Sequence, residues 1–393
     1  MISKQDILDR AVEWNLRAEI VEKDYVLGWL LAAFAQHPLT SRSWVFKGGT
    51  CLKKCFFETY RFSEDLDFSL LPEAAYTEAD IQRVIVEVAA GAAELSGIEI
   101  PVDRVAVRPR QDKLGRATFE AKLAYRGPLR MPNWPKLSFD ITAHEPVLAT
   151  TARRPVYHAY ADALPSGVEV QCYSLNELFA EKSRALFERS RPRDLYDVVY
   201  IAENCGDRLE SGVARDLFRQ KCRVKGREPP TAKELLTIVS EGAALRGDWS
   251  AMLAHQLPNL PPIDTVIARL GPALSWLEET PAPTAPALPF IALQSRGVIE
   301  APHGIRYWGK GIPLEAVRFA GTNRLLISFT YDRKPRLVEP YSLRRPATGN
   351  LLLFGWEVSA GQIKAFNVDE MVGLQATSTP FVPRFRVELA ALG

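Results

Sequence analysis

The sequence predicts an α+β protein with a small mixed sheet flanked by helices, then a helical second half and a small all-β, barrel-like carboxy-terminal domain. Two runs, Asp65–Leu70 and Leu137–Thr142, alternate apolar and polar residues, as a strand with one buried face does. Residues 5–36, 77–95 and much of 174–279 repeat apolar residues at helical spacing. Short apolar runs separated by turn residues fill the last hundred positions.

Length and composition describe an ordinary globular protein of two to three domains. The 393 residues are 47% hydrophobic and 24% charged, and the formal net charge of +2 provides no global attraction to nucleic acid. No run of about 18 apolar residues predicts a membrane span. The first residues lack the basic and apolar regions of a signal peptide, and the five cysteines are scattered, so we expect reduced thiols and a cytoplasmic protein.

Two acids lie on the polar face of the first strand. With Leu66 and Phe68 pointing into a core, Asp65 and Asp67 share the opposite face, about 6.5–7 Å apart. Two such charges repel by about 2.5 kcal/mol at an effective dielectric constant of about 20, which a bound cation would relieve. Two solvated acids on an edge strand are the alternative.

A glycine turn just upstream favours the metal site over that alternative. Gly48 and Gly49 let the backbone approach a ligand closely, and a helix beginning at Thr50 presents free N–H groups to an anion. A phosphate-binding turn beside a pair of metal-binding carboxylates is what nucleotidyl transfer requires.

The turn and the Asp-x-Asp strand together resemble the DNA polymerase β-like nucleotidyltransferase superfamily. The strings Phe46–Thr50 and Arg61–Phe68 resemble the AbiEii/AbiGii type of toxin nucleotidyltransferase in particular, as does Glu22–Tyr25, for which a solvated helix face is the alternative. The resemblance implies a polymerase β-like core, an NTP substrate and Mg²⁺ held by Asp65 and Asp67. The nucleotide would be held by the turn and its neighbours, namely Lys47, Gly48, Gly49, Thr50 and Ser63, with Arg61 shaping the pocket.

A third acid, Asp140, lies on the polar face of the second alternating run, opposite Leu137, Phe139 and Ile141. A lone acid in such a run is usually just exposed. By resemblance, however, Asp140 is the third catalytic carboxylate, which binds one metal ion and favours deprotonation of the attacking hydroxyl. Glu145 is the alternative candidate for this position.

Later helices carry further residues that match the AbiEii-like pattern. The resemblance implies that Lys182 contacts the triphosphate and that Arg193, Asp194 and Asp197 hold the nucleotide or order the site. A salt-bridged helical hairpin is the alternative. A basic run at 219–227 is compatible with RNA nearby, although such runs are usually solvated helix faces.

The carboxy-terminal runs 314–319, 324–331, 351–358 and 363–368 are expected to be strands. Most of 315–390 resembles a WYL-type domain, but it departs from that pattern at Pro340–Leu343 and at Asp369–Met371. A nucleic-acid or nucleotide ligand here would stack on Tyr341 and place phosphates against Arg344, Arg345 and Lys364. A structural or dimerising barrel is the alternative.

We therefore expect four segments. Residues 1–173 form the nucleotidyltransferase core, 174–279 a helical domain that completes the nucleotide site, and 290–393 the WYL-like β domain. Residues 280–289 form a proline-rich, semi-rigid linker.

The resemblance implies a Mg²⁺-dependent toxin that transfers NMP from an NTP to RNA, in particular the tRNA 3′ end, and so blocks translation. It also implies a cognate antitoxin. Transfer to a protein or small-molecule hydroxyl is one alternative, and a nucleic-acid-sensing regulatory protein with an inactive transferase is the other.

Overall fold

The computed structural model describes residues 1–71, 76–111, 115, 117–143, 145–278, 288–291, 298–299, 314–346 and 349–390. The chain forms two compact units. The first comprises Met1–Val12, Leu16–Arg184 and Arg208–Pro229, and the second comprises Glu13–Asn15, Ala185–Asp207 and Pro230–Gly393. Of the expected linker 280–289, only the last two residues are among those described.

The amino-terminal part of the chain supplies one large sheet and the helices that cover it. Its elements are α1 (Lys4–Glu13), α2 (Ala18–Gln36), α3 (Thr40–Ser43), β1 (Trp44–Lys47), α4 (Gly48–Cys51), β2 (Asp65–Leu70), α5 (Glu78–Ser96), β3 (Ala106–Gln111), β4 (Ala117–Ala124), β5 (Lys136–Thr142), β6 (Ala152–Pro155), β7 (Glu169–Cys172) and α6 (Leu175–Arg189). A π-helical turn, Leu52–Phe56, continues α4.

The seven strands of this sheet run in the order β3-β4-β5-β2-β1-β7-β6. The pairs β5/β2 and β1/β7 are parallel and the others are antiparallel, so the sheet is mixed, as the sequence predicts. The acid-bearing strands β2 and β5, which have 65 residues between them in the sequence, are therefore direct neighbours.

Aromatic side chains fill the core between α2 and the sheet. The ring of Phe34 lies 4.6 Å from that of Phe68 and 6.0 Å from that of Phe139, measured between ring centroids. Phe46 and Trp44 complete the cluster, at 5.3 and 5.5 Å from Phe68. Because these apolar faces are buried, the alternate residues of β2 and β5 point to the other side of the sheet.

Local sequence determines the ends of α5, which packs on the same sheet. Thr77 and Asp80 form a capping box at its amino end, where each side chain accepts a hydrogen bond from the other residue's backbone N–H. Gly97 ends the helix with a φ of +72°, a left-handed conformation that glycine adopts without steric cost.

Further along the chain, helices and a second sheet form. These elements are α7 (Pro192–Cys205), α8 (Ser211–Val224), α9 (Ala232–Glu241), α10 (Ala243–Leu253), α11 (Ile263–Ala273), β8 (Val298–Ile299), α12 (Leu314–Thr322), β9 (Leu325–Tyr331), β10 (Lys334–Pro346), β11 (Leu352–Glu357), β12 (Gln362–Asn367) and β13 (Val372–Pro380). Helix α8 and α6 up to Arg184 belong to the first unit, whereas α7 and α9 to α11 belong to the second.

The second sheet is wholly antiparallel, in the order β12-β11-β10-β9-β13, with β8 beside β10. Within this unit the helices contact the sheet region directly. The Arg269 guanidinium of α11 pairs with Glu203 of α7 at 3.1 Å and donates to the Asn323 carbonyl at 3.3 Å.

The prediction of a strand at 314–319 is wrong, because this run forms helix α12. Leu314, Val317 and Gly321 are buried at helical spacing, so the run has an apolar helix face and not an alternating strand face. The predicted α+β class, with a helical part and a second all-β sheet, is confirmed. Among the described residues, every helix is too short or too polar to cross a bilayer.

Candidate active site

Three carboxylates from two neighbouring strands meet on the polar face of the first sheet. Asp67 of β2 and Asp140 of β5 are direct partners in the parallel register, and Asp65 is opposite Ser138. Neighbouring strands lie about 4.8 Å apart, and residues two apart along a strand lie about 6.6 Å apart. The structure therefore brings Asp65, Asp67 and Asp140 together, as the sequence predicts.

Burial and neighbouring acids raise the pKa of two of these carboxyl groups. Burial and then the facing Asp140 raise the pKa of Asp67 to about 6, against the lowering effect of Lys47 and Lys182. Loss of hydration and then Glu120 raise the pKa of Asp140. The raised pKa values mean that ionisation of these carboxyl groups is unfavourable without a nearby cation. Their hard oxygen donors suit a divalent cation such as Mg²⁺.

The same row continues across the sheet on both sides. Lys47 of β1 is opposite Asp67, and Glu120 of β4 is opposite Asp140. Arg108 of β3 is in turn opposite Glu120. Sequence reasoning missed Glu120, because its place in the row depends on a pairing between distant strands that local patterns do not determine.

The glycine turn packs directly against the carboxylates. Gly48 has a φ of +82°, and an added Cβ would lie 1.9 Å from Oδ2 of Asp67. A Cβ on Gly49 would lie 2.6 Å from the Arg61 guanidinium and 3.0 Å from Oγ of Ser63. Gly48 is half-buried, whereas Gly49 is buried. Only glycine allows this close approach of the backbone to Asp67.

Thr50 acts mainly through its neighbour. It is fully buried, and its hydroxyl donates to the backbone carbonyl of Asp65. The side chain thus fastens α4 to the start of β2, which holds Asp65 against the glycine turn. Because the hydroxyl is engaged with Asp65, a contact between Thr50 and a phosphate would use its backbone N–H.

Lys47 is buried in an ion pair at the edge of the row. Its Nζ lies 2.6 Å from Oε2 of Glu145 and 5.7 Å from the centre of the Tyr173 ring. Burial works to lower the pKa of Lys47, but Tyr173 and Glu145 outweigh it and raise that pKa. Because Glu145 also pairs with Lys225 at 3.2 Å, its carboxylate is committed to two lysines, which favours Asp140 over Glu145 as the third acid of the site.

Lys182 of α6 is buried and lowers the pKa of Asp67, so its ammonium lies within electrostatic reach of the carboxylates. The helix that carries it is firmly anchored. Lys221 of α8 pairs with Glu177 at 2.9 Å and with Glu181 at 3.2 Å. Glu177 also accepts the N–H groups of Leu148 and Ala149 at 3.0 Å each.

The stretch Glu22–Tyr25 is not a solvated helix face. Asp24 is 3% exposed, and its carboxylate pairs with Lys54 at 2.6 Å, just after the glycine turn. Tyr160 donates a second hydrogen bond to Asp24 at 3.0 Å. Helix α2 therefore braces the turn from behind, through a buried charge pair in which Lys54 and Tyr160 both bind Oδ2 of Asp24.

Three residues expected at the nucleotide belong to the second unit. There Asp194 is fully buried and receives two hydrogen bonds from Arg189, at 2.7 and 2.9 Å. Asp197 is also fully buried, and Arg193 lies on the same helix, α7. The Arg189–Asp194 pair joins the end of α6 to the start of α7, as the hairpin alternative predicts.

The ligand-binding role expected for Tyr341 is wrong. Its ring is fully buried, 5.6 Å from Phe381 and 5.4 Å from Phe385, so no base can stack on it. Its hydroxyl donates to Glu339. Two of the expected phosphate contacts are paired with acids, Arg344 with Glu388 and Lys364 with Glu357, and Arg345 is half-buried.

A second group of possible metal ligands lies in the core behind the turn. The sulfur atoms of Cys51, Cys55 and Cys172 lie within 4.8 Å of one another, and all three residues are buried. Hydrogen bonds from the other two thiols lower the pKa of Cys172 to about 5. Soft sulfur donors do not suit Mg²⁺, so this cluster is chemically distinct from the carboxylate row.

Comparisons with known proteins identify the family of the chain. The family model "Nucleotidyl transferase AbiEii toxin, Type IV TA system" matches residues 29–277, more than half of the chain. The match ends before 315–390, where the WYL-type resemblance stays a prediction.

A solved structure of MenT4, a nucleotidyltransferase toxin from Mycobacterium tuberculosis H37Rv, is similar at 21% identity and a TM-score of 0.42, over 70% of this chain and 88% of that one. No curated protein matches significantly. On the strength of the family match, the chain belongs to the AbiEii family of nucleotidyltransferase toxins of type IV toxin–antitoxin systems.

Proposed function

We propose that this toxin uses Mg²⁺ to transfer a nucleoside monophosphate from an NTP to the 3′ hydroxyl of RNA, with tRNA as the acceptor, and thereby blocks translation. The observation that supports this most is the row of Asp65, Asp67 and Asp140 beside two lysines. The products are RNA extended by one nucleotide and pyrophosphate, so the phosphoanhydride bond that breaks balances the phosphodiester bond that forms.

The acids would have separate tasks. Asp65 and Asp67 would hold the metal ions that orient the triphosphate, and Asp140 would bind one of them on the acceptor side. The metal, when bound, supplies positive charge to the reacting phosphate and lowers the pKa of the attacking hydroxyl. Burial and Glu120 raise the pKa of Asp140, which suits this carboxylate to accept the proton of the attacking hydroxyl.

The basic residues would serve the donor side. The backbone of Gly48 and Gly49 would approach the β and γ phosphates, and Lys182 would neutralise charge on the leaving pyrophosphate. Lys47, held by Glu145, keeps a fixed positive charge beside Asp67. Ser63 and Arg61 border the turn and would shape its phosphate-binding surface. Arg193, Asp194 and Asp197 are proposed as nucleotide-contacting residues on the family resemblance alone.

The test is a labelling reaction that separates the acceptor classes. Purified protein with Mg²⁺ is incubated with each α-³²P-labelled NTP and either total RNA or protein lysate. We expect label in tRNA, with one NTP preferred. Label in protein would support a protein hydroxyl as the acceptor, and no label with any NTP would support an inactive, nucleic-acid-sensing role.

Two variants serve as controls. Asp67→Asn keeps the shape of the side chain and should abolish labelling, whereas Asp248→Asn, an exposed acid on α10, should label as wild type does. If Asp67→Asn remains active, the assigned site is wrong. Expression of the wild-type toxin without its antitoxin should stop growth, and expression of Asp67→Asn should not.

A further inference from the structure

A basic groove lies on the polar face of the first sheet, over β3, β4 and β5. Its volume is about 380 Å³. Among the described residues that line it, four side chains are basic and one is acidic. The basic groove is lined by Arg104, Arg108, Lys122, Lys136, Trp134 and Glu120, over two alanines of the strands.

The strand register connects the basic groove to the carboxylate row. Glu120, at one end of the groove, is the direct partner of Asp140, and Lys122 is the partner of Ser138. Lys136, at the other end, precedes Asp140 by four residues on the same strand face, which corresponds to about 13 Å. The groove therefore begins beside the carboxylates and leads away from them along β5.

The row also separates the groove from the donor side. Lys47 is opposite Asp67 on β1, so it lies across Asp67 from Asp140, whereas Glu120 and Arg108 lie beyond Asp140. The glycine turn is likewise against Asp67. A triphosphate held by the turn and the lysines would thus approach from one side, and the groove is free for the other substrate.

The basic groove combines basic and aromatic side chains, which are the types that proteins use to bind single-stranded nucleic acid. Lys122, Lys136, Arg104 and Arg108 are exposed, as phosphate contacts must be. Trp134 is half-buried, and its ring already stacks near two guanidinium groups, Arg126 at 4.4 Å and Arg104 at 5.2 Å. Planar groups that pack on indole in this way include nucleobases.

We propose that the basic groove binds the single-stranded 3′ end of the RNA acceptor, with a base stacked on Trp134 and phosphates at Lys136 and Lys122, so that the terminal hydroxyl reaches Asp140. This inference rests on the proposed function. At about 3.4 Å per stacked nucleotide, the 13 Å from Lys136 to Asp140 holds about three to four nucleotides. A duplex end has no unpaired bases to stack there, so the groove selects acceptors with an unpaired 3′ overhang.

The test measures RNA binding and transfer separately. Binding of a fluorescein-labelled single-stranded RNA of about eight nucleotides is followed by anisotropy without NTP, at several salt concentrations. Trp134→Ala should weaken binding about 5- to 100-fold, and Trp134→Phe should restore most of it. Lys136→Ala should reduce the slope of log affinity against log salt by about 0.7, and Lys4→Ala, an exposed lysine on α1, should not.

Transfer to tRNA then distinguishes the possible occupants. We expect Trp134→Ala and Lys136→Ala to raise KM for tRNA while KM for the NTP stays as in wild type. A raised KM for the NTP with unchanged RNA affinity would place the donor nucleotide in the groove and overturn the proposal. If wild type labels protein and these variants do not, the groove holds a protein acceptor, and this result would also overturn the proposal.

The failure of this inference and that of the proposed function give different results. If wild type labels RNA and the groove variants bind and react as wild type does, the groove inference fails and the transferase assignment stands. If wild type labels no RNA, the proposed function fails. If the groove variants also bind the oligonucleotide as wild type does, the groove inference fails as well.

Discussion

Asp67 and Asp140 are direct register partners on parallel strands β2 and β5, with the backbone of Gly48 packed against the Asp67 carboxylate. Burial, and then the neighbouring Asp140, raise the pKa of Asp67 to about 6. Folding therefore brings together charges that repel one another. Such electrostatic repulsion is typical of a site whose carboxylates bind a cation.

Replacing Asp67 with Asn should stabilise the metal-free protein. The folded pKa of about 6 exceeds the ordinary aspartate value of 3.8, so ionised Asp67 destabilises the fold. This cost is absent below about pH 4 and fully present above about pH 6. We expect a gain of about 3 kcal/mol in the free energy of unfolding at about pH 8 and about half of that at about pH 5.

Chemical denaturation in the presence of a chelator measures this difference, with Asp248→Asn as the control. Added Mg²⁺ should then raise the melting temperature of wild type more than that of Asp67→Asn. A destabilised Asp67→Asn protein, or a gain that does not change with pH, would contradict the electrostatic account.

Gly48→Ala should abolish transfer while leaving the fold intact. The new Cβ would lie 1.9 Å from Asp67 Oδ2 and force the carboxylate aside, and a displacement of about 1 Å costs about 100-fold in rate. Gly97→Ala is the matched control, because Gly97 has a similar φ of +72° but its nearest neighbour would be 4.0 Å away. Both variants should lose about 1–2 kcal/mol of stability, measured by denaturation, and only Gly48→Ala should lose activity. Equal activity in the two would contradict the role of the close approach.

Lys47 and Glu145 should be coupled in a double-mutant cycle. Lys47→Met leaves the Glu145 carboxylate buried with Lys225 alone, so we expect a loss of about 2–3 kcal/mol in unfolding free energy. Glu145→Gln should also destabilise, and the double variant should lose less than the sum by about 1–3 kcal/mol. Strict additivity would mean that the 2.6 Å pair does not contribute to stability.

Tyr341→Phe tests the corrected role of the carboxy-terminal sheet. Removing the hydroxyl leaves Glu339 without that donor, so stability should fall by about 1 kcal/mol in a denaturation experiment. RNA binding and transfer should stay at wild-type levels, because the ring is fully buried. Weaker oligonucleotide binding by Tyr341→Phe would restore the ligand-stacking role.

Sequence patterns predicted the acid-bearing faces well, because burial enforces alternation. Leu66 and Phe68 on β2, and Phe139 and Ile141 on β5, could only be buried with the aspartates on the other face. The same patterns do not predict which strands are neighbours in the sheet. The alignment of Glu120 with Asp140 depends on pairing between residues distant in sequence, and no local period reports it.

The failures have similar physical causes. Leu314–Phe319 contains β-branched and aromatic residues in a short apolar run, whose length alone does not separate helix from strand. Tyr341 alternates with polar neighbours, but β10 is covered on that face by Phe381 and Phe385 from beyond β13. From sequence alone Asp24 is indistinguishable from an acid on a helix surface, because its partner Lys54 is brought beside it only by folding.

The most direct test of the central claim is a crystal structure with Mn²⁺ in place of Mg²⁺ and a non-hydrolysable NTP analogue. We predict an anomalous peak within about 2.0–2.6 Å of carboxylate oxygens from Asp65 and Asp67, with Asp140 beside it and the triphosphate against Gly48. A peak elsewhere, or a nucleotide bound away from these three acids, would contradict the assignment of this site.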